Sequence, residues 1–246
     1  MTTTPTPTPT PTATAVPGRR PNQGGPPPGP IAIVVTALFM CSLLLPILVT
    51  GGDTYPSPYA LQATIIDYFT AHPGPVRLTG LLQFAASLPL AIYAATVSAR
   101  LNRLGIRAPG AVIALAGGVL ASASMALSAL LTWTLARPEI VSHPDLVRLV
   151  HDLAFITGGP GFVVPLGLLL AGVAVPGLLA GLLPRWIAWA GLLIAAVAMI
   201  CTLAVAFPDL AILLPIARFP ALAWLIAAGL LLPKQRPRTA TASEPS

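Results

Sequence analysis

The sequence predicts an all-α membrane protein, a bundle of six transmembrane helices with a kinked or broken fourth span and a disordered N-terminal tail. Only 8% of its 246 residues are charged and 55% are hydrophobic, with a mean hydropathy of +0.84. Apolar runs of about 20 residues recur along the chain, and a helix of that length crosses a hydrocarbon core of about 30 Å. Basic residues lie at the ends of these runs. Lipid is therefore the expected solvent for much of the surface.

Composition also excludes some classes of function. The thirteen basic residues do not gather in a patch with interleaved aromatic residues, so no nucleic-acid partner is expected. Cys41 and Cys201 both lie in apolar runs and lack the spacing of a metal-binding or redox motif, so no metal or cofactor is predicted. The lipid bilayer is the partner that the composition requires.

Two tails flank the predicted transmembrane domain, which covers residues 31–233. Residues 1–30 are rich in Thr, Pro and Gly and lack the apolar side chains that would offset the entropy of ordering. They are predicted to be a disordered cytoplasmic tail with polyproline II character. Residues 234–246 are predicted to be a second disordered cytoplasmic tail. The first apolar run lies too far along the chain for an ordinary cleaved signal peptide, so it is the first span.

Six spans are predicted within this domain. The last two are separated only by Phe207-Pro208-Asp209, and one helix across both would be roughly 70 Å long, more than twice the membrane thickness. A tight hairpin is therefore predicted there. The spans cover approximately residues 31–50, 78–99, 110–134, 150–176, 186–207 and 210–232.

The basic residues predict the orientation of the chain, because cytoplasmic loops of membrane proteins are enriched in Lys and Arg. With both termini in the cytoplasm of a bacterium, and the spans in its plasma membrane, only Arg77, Arg137 and Arg148 lie outside. The cytoplasmic set is three times larger and comprises Arg19, Arg20, Arg100, Arg103, Arg107, Arg185, Lys234, Arg236 and Arg238.

Acidic residues and histidines show the opposite distribution. In this orientation all three histidines and every acidic residue except Glu244 lie on or near the outer side. The outer half of the bundle is therefore where a polar pocket is expected. The residues concerned are Asp53, Asp67, Glu139, Asp145, Asp152, Asp209, His72, His143 and His151.

Arg218 lies inside the sixth span, roughly 13 Å below its outer end. A guanidinium group cannot lose its proton there, so it is expected to find a partner. Asp152, near the start of the fourth span, is the first candidate; Asp67, Asp209 and freed backbone carbonyls are the others. A purely structural ion pair and a functional site both remain open at this point.

The fourth span contains the strongest local irregularity, the run Gly158, Gly159, Pro160 and Gly161. Pro160 has no N–H to donate to the carbonyl of Ile156, which predicts a kink or a break. Such breaks line substrate sites in transporters, although Pro-Gly kinks also occur in ordinary spans. Residues 145–157 are alternatively an interfacial helix on the outer side, with the span starting at Pro160 and ending near residue 183.

Polar residues elsewhere add weaker candidates. In the second span Arg77 lies at the mouth, and Gln83 shares a helix face with Gly80 and Ser87. Hydrogen bonds between helices are the alternative reading. His151 is a further candidate, but it is separated from its neighbour Asp152 by about 100° around a helix, so the two do not naturally bind one ligand.

The third span carries a small residue at every fourth position, which lets a neighbouring helix backbone approach closely. The stripe is predicted to pack within the bundle or, alternatively, to join two copies as a homo-oligomer. Its members are Gly110, Ala114, Gly118, Ser122 and Ala126.

The runs "TGGPGFVVPLGLLLAG" and "LLPRWIAWAGLLIAAV", together with the span boundaries and the excess of Arg over Lys, resemble uncharacterised six-span integral membrane proteins of high-GC actinobacteria. The resemblance covers about Ile31 to Pro233. It implies a six-span fold and a membrane location, and it carries over no functional residue.

Three functions are consistent with these observations. The first is binding or passage of a small solute through an outward-facing polar pocket formed by spans two, four and six, with Arg218 as its anion-binding or ion-pair centre. The second is a structural or regulatory role in which the intramembrane charges only fix helix packing. A membrane-embedded enzyme acting on a lipid-like substrate is the third, although no catalytic, phosphate-binding or dinucleotide-binding motif is present.

Overall fold

The computed structural model describes residues 25–106 and 108–234. Most of the first predicted tail, residues 235–246 of the second, and Arg107 lie outside the described residues. The described ranges are all-helical and contain no β-strand. Six of their helical segments are long and apolar enough to cross a membrane: Pro28–Val49, Pro73–Arg103, Gly110–Thr134, Pro144–Leu179, Arg185–Val205 and Pro208–Leu231.

Five of the α-helices begin at a proline, whose fixed φ and missing N–H suit the first helical position. Two 3₁₀ helices, Cys201–Val205 and Pro208–Ile212, form the hairpin between the last two spans. The α-helices are α1 (Pro28–Val49), α2 (Gln62–Ala71), α3 (Pro73–Arg103), α4 (Gly110–Thr134), α5 (Pro138–Val141), α6 (Pro144–Gly158), α7 (Pro160–Leu179), α8 (Arg185–Ile200) and α9 (Leu213–Leu231).

The helices extend past several of the predicted span limits. Helix α3 starts at Pro73 rather than at residue 78, and it continues to Arg103 rather than stopping at residue 99. Hydropathy identifies the part of a helix whose side chains can face lipid. The helix itself continues beyond that part until a turn interrupts its backbone hydrogen bonds. Polar ends such as Arg77 and Arg100 are therefore helical although the apolar run excludes them.

The bundle has two distinct ends. The start of α1 packs against the end of α9, where Gly29 faces Gly229 and Leu230, so both described chain ends lie together at what we name the terminal end. Helix α2, α5 and the 3₁₀ hairpin lie at the opposite end, named the α2 end. Every acidic residue in the described ranges is at the α2 end, while the charged residues described at the terminal end are Arg100, Arg103, Arg185 and Lys234.

Helix α4 crosses the centre of the bundle against α3 and α7, and the small-residue stripe makes those contacts. A Cβ atom on Gly118 would collide with that of Ala94 in α3, and Ser122 donates a hydrogen bond to the Ser87 carbonyl over 2.7 Å. Ala114 is fully buried beside Gly172 of α7. These members of the stripe are thus covered by helices of the same chain, as one of the two sequence readings expects.

Three buried side chains tie α9 to its neighbours by donating to backbone carbonyls. Tyr93 and Arg100 of α3 donate to the carbonyls of Leu225 and Leu232, over 2.9 and 3.2 Å. The indole of Trp224 donates to a carbonyl of α8 over 2.7 Å. Since no water competes for Tyr93 and Trp224 in a hydrocarbon core, their bonds fix the register of α9, the helix that carries Arg218.

Candidate functional site

A cavity of about 450 Å³ lies inside the half of the bundle nearer the α2 end. Helices α1, α3, α4, α6, α7 and α9 form its wall, and Tyr55 from the loop after α1 and Tyr68 from α2 lie over it. Its volume is in the range of pockets that bind small molecules. The sequence predicted a pocket from spans two, four and six, and α1 and α4 also contribute.

Arg218 lines this cavity, and among the lining residues it alone carries a permanent charge. Its Nη2 donates to the backbone carbonyl of Gly158. Its guanidinium carbon lies 5.7 Å from the ring centroid of Phe39 and 5.5 Å from that of Phe162, and these two rings stack at 6.2 Å. Arg218 is therefore held by a carbonyl dipole and two aromatic faces, none of which has a net negative charge.

The partner carbonyl is available because the helix is interrupted there. Helix α6 ends at Gly158 and α7 begins at Pro160, while Gly159 between them has φ −85° and ψ −103°. The amides of Phe162 and Val163 both bond to the carbonyl of Gly159, so the Gly158 carbonyl is not used by the helix. A cation at a helix C-terminus is favourable, and the guanidinium occupies that position.

The predicted ion pair between Arg218 and Asp152 is wrong. Asp152 accepts a hydrogen bond from Nε of Arg148, one turn earlier, at 3.0 Å, and its side chain is 39% exposed. It precedes Gly158 by six residues, about 9 Å along the helix and on a different face. The freed carbonyl, the other type of partner that the sequence suggested, is nearer and is aligned by the break.

His151 lies about two turns, or about 10.5 Å, from Gly158 on the same helix face. The residue is 2% exposed, and its ring lies 5.4 Å from Phe69 and 5.6 Å from Tyr55. Three buried side-chain polar atoms of the described residues have no hydrogen-bond partner, and Nδ1 of His151 and Nε of Arg218 are two of them. Two of these three atoms therefore belong to residues that line the cavity.

The cavity hydroxyls are mostly committed to the backbone. Ser42, Thr79 and Ser128 donate to carbonyls of their own or a neighbouring helix, over 2.6, 3.1 and 2.7 Å. Tyr55 is 38% exposed as a residue, but its hydroxyl is enclosed next to Thr132, and this burial raises its pKa. The phenol stays protonated at neutral pH and can donate.

The pKa of Tyr68 is raised as well, by burial and by the negative charge of Asp53. Both tyrosines therefore present neutral hydroxyls at the α2 end of the cavity. The polar groups left for a bound molecule are the Arg218 guanidinium, the unpaired Nδ1 of His151, these two phenols and the amide of Gln83.

The other sequence-predicted residues divide between the cavity and its surroundings. Gln83, Gly158 and Gly159 line the cavity, whereas Pro160 and Gly161 do not. Outside it, Arg77 donates to the Ala136 carbonyl at 3.3 Å, and Asp67 is exposed on α2.

The three histidines do not converge on one site. His72 pairs with Asp53 at 3.0 Å, and His143 contacts the Ser142 hydroxyl at 3.0 Å. His151 alone enters the cavity.

Several cavity residues were missed from the sequence. Ser128 and Thr132 lie four residues apart on one face of α4, and that spacing could have identified them. Phe39, Phe162 and Tyr55 gave no comparable signal, because aromatic residues in apolar runs are indistinguishable from those that face lipid.

Comparison of the chain with protein-family models, curated proteins and solved structures gives no match. The cavity is therefore interpreted from its own chemistry. It contains one buried cation, Arg218, and a wall made mainly of apolar and aromatic side chains. Uncharged polar side chains lie at the end of the cavity away from Arg218.

Proposed function

We propose that this chain resides in a bacterial plasma membrane with both ends in the cytoplasm, and that it binds or passes a small solute through a cavity open to the outside. The observation that carries the proposal is the coincidence of a ligand-sized cavity with the unpaired polar atoms of His151 and Arg218. Buried polar atoms without partners are costly unless a ligand or water satisfies them.

The break between α6 and α7 supports the same function. Discontinuous helices within a membrane are tolerated where they line a cavity, and in transporters they form substrate sites. Gly158 and Gly159 both line the cavity, next to the one permanent charge in its wall.

A structural role is the second candidate, and a specific contact favours it. The bond from Arg218 to Gly158 joins α9 to the end of α6, so the guanidinium could serve only to cap that helix. In that case, neutralising Arg218 would lower stability and change no binding property. A membrane-embedded enzyme has no comparable contact in its support.

Thiol labelling tests the outward opening of the cavity. Gln83 lines the cavity and is only partly buried, whereas its neighbour Phe84 is 36% exposed on the outer surface of the bundle at the same depth. In a background with Cys41 and Cys201 replaced by Ala, Gln83→Cys and Phe84→Cys form a matched pair. A membrane-impermeant methanethiosulfonate added outside should modify Gln83→Cys at least about tenfold faster, because only a hydrated thiol ionises and reacts.

Equally slow reaction at both positions would mean that water does not enter the cavity from outside, and the proposal would fail. Faster reaction from the cytoplasmic side would reverse the proposed orientation. Mass spectrometry of the intact protein gives the labelled fraction in each case.

A further inference from the structure

We propose that the solute is a small amphipathic organic anion: one carboxylate-type group on an apolar, preferably aromatic, body, with a polar group at its far end. This inference rests on the proposed function and names the chemical class of its ligand. Charge, wall chemistry and length each support it.

The charge of the cavity selects for an anion. No Asp or Glu is among its lining residues, and the partners of Arg218 are a carbonyl and two rings. The helix ends that meet at Gly159 carry opposite partial charges, so the guanidinium determines the sign of the potential. A bound amine would meet that cation at low dielectric, whereas a carboxylate could accept from its free N–H groups.

The wall chemistry selects for an apolar body. Beyond the guanidinium the cavity is bounded by Phe39, Phe155, Phe162, Met125 and Leu214. Inorganic phosphate or sulfate would leave most of this surface without contacts. An aromatic acid could place its ring against these side chains and its carboxylate against Arg218.

The length of the cavity determines which side chains meet the end of the ligand that lies away from Arg218. His151 and Gly158 both line the cavity and are two helical turns apart on one face of α6, about 10.5 Å along the helix axis. Nδ1 of His151 has no partner, and the Tyr55 ring lies 5.6 Å from the imidazole, between ring centroids. A hydroxyl or carbonyl at the far end of the ligand can pair with these groups. A two-chain phospholipid is much larger than 450 Å³, so a free acid is favoured over a lipid headgroup.

Three compounds that share a phenylpropyl skeleton but differ in charge test the proposal. The purified full chain, in phosphatidylcholine nanodiscs, is titrated calorimetrically with 3-phenylpropionate, 3-phenylpropanamide and 3-phenylpropylamine. The acid should bind, the amide should bind about 10- to 100-fold more weakly, and the amine should not bind, because only the acid forms a charge-assisted pair with Arg218.

Arg218→Gln should weaken binding of the acid by about tenfold or more, because glutamine keeps a donor for the Gly158 carbonyl but carries no charge. Arg77→Gln is the matched control, since it makes the same change at an arginine outside the cavity wall, and it should leave the affinity unchanged. Equal losses in both variants, or amide or amine binding as tight as the acid, would overturn the proposal.

A second variant keeps the test decisive if Arg218→Gln does not fold. His151→Phe keeps the aromatic packing and removes the unpaired nitrogen. It should weaken binding of 3-(4-hydroxyphenyl)propionate more than that of 3-phenylpropionate, by about fivefold or more. Equal affinities for the two acids in both the wild-type protein and this variant would contradict the predicted far end.

The source of the anion is tested by replacing phosphatidylcholine with phosphatidylglycerol. If a lipid headgroup is the natural occupant, the anionic lipid will compete with 3-phenylpropionate in the wild-type protein, and the free-acid proposal fails. If none of the three compounds binds, the inference fails as well. Labelling of Gln83→Cys tests the outward-open cavity independently, so the two failures are distinguishable.

Discussion

Buried polar side chains in this bundle fall into two groups at the residue scale. Tyr93 and Trp224 donate hydrogen bonds to backbone carbonyls of neighbouring helices. Each of these bonds satisfies a buried donor and holds two helices together. His151 and Arg218 keep an unpaired nitrogen each, and both line the cavity. The first pattern is that of a structural contact. The second pattern supports the proposed ligand site.

Replacing Tyr93 by Phe tests the structural group. The hydroxyl is fully buried and donates to the Leu225 carbonyl, so its loss should destabilise the fold by about 0.6–1.7 kcal/mol, the range typical of hydrogen bonds inside membranes. Reversible unfolding in mixed micelles measures the change.

Tyr59→Phe is the control for this prediction, because Tyr59 is 56% exposed and its change should remain within about 0.5 kcal/mol. Equal stability of the Tyr93→Phe and wild-type proteins would show that the carbonyl finds another donor.

Helix α4 illustrates the element scale, because its position depends on small residues on two faces. Toward α7, a Cβ atom on Gly117 would come within 2.7 Å of the Pro165 carbonyl oxygen, and one on Gly172 within 2.7 Å of the Gly110 carbonyl oxygen. Close approach of these backbones replaces the hydrophobic driving force that lipid does not provide. The same helix carries Ser128 and Thr132 into the cavity, so its packing also positions the site.

Gly172→Ala should therefore separate α4 from α7 and destabilise the bundle by about 1–3 kcal/mol, as overpacking does in other tightly packed interiors. Gly74→Ala is the matched control: it lies in a helix and no atom lies within 4 Å of its added Cβ. That control should be neutral or slightly stabilising, because alanine favours helix. Thermal unfolding in detergent compares them, and equal melting temperatures would disprove the close contact.

Charge is arranged by end at the scale of the whole molecule. The described acidic residues lie at the α2 end, and the described charges at the terminal end are basic. Such an asymmetry orients a chain during insertion, with the basic end retained in the cytoplasm. The two described chain ends lie together, as an even number of spans requires.

Reporter fusions test this orientation. Alkaline phosphatase fused after Asp209, in the hairpin at the α2 end, should be active, because the enzyme requires an environment outside the cytoplasm. Fusion after Gly181, in the loop between α7 and α8, should be inactive. The reverse pattern would place the cavity on the cytoplasmic side and contradict the proposed outward opening.

The sequence by itself determined that the chain is helical, that six segments are long and apolar enough to cross a membrane, and approximately where they lie. These properties depend on local composition: an apolar run of about 20 residues is sufficient to predict a span. The prediction for α4, residues 110–134, coincides with Gly110–Thr134 because a loop interrupts the chain on either side.

Only the tertiary structure decided the partner of Arg218 and the residues that share its cavity. From the sequence, Asp152 was a reasonable partner because opposite charges attract, yet the interruption at Gly159 frees a carbonyl that lies nearer. The contacts of Phe39 and Phe162 with the guanidinium depend on how α1 and α7 are rotated against α9. Local composition does not encode that rotation, because it follows from packing of all the helices together.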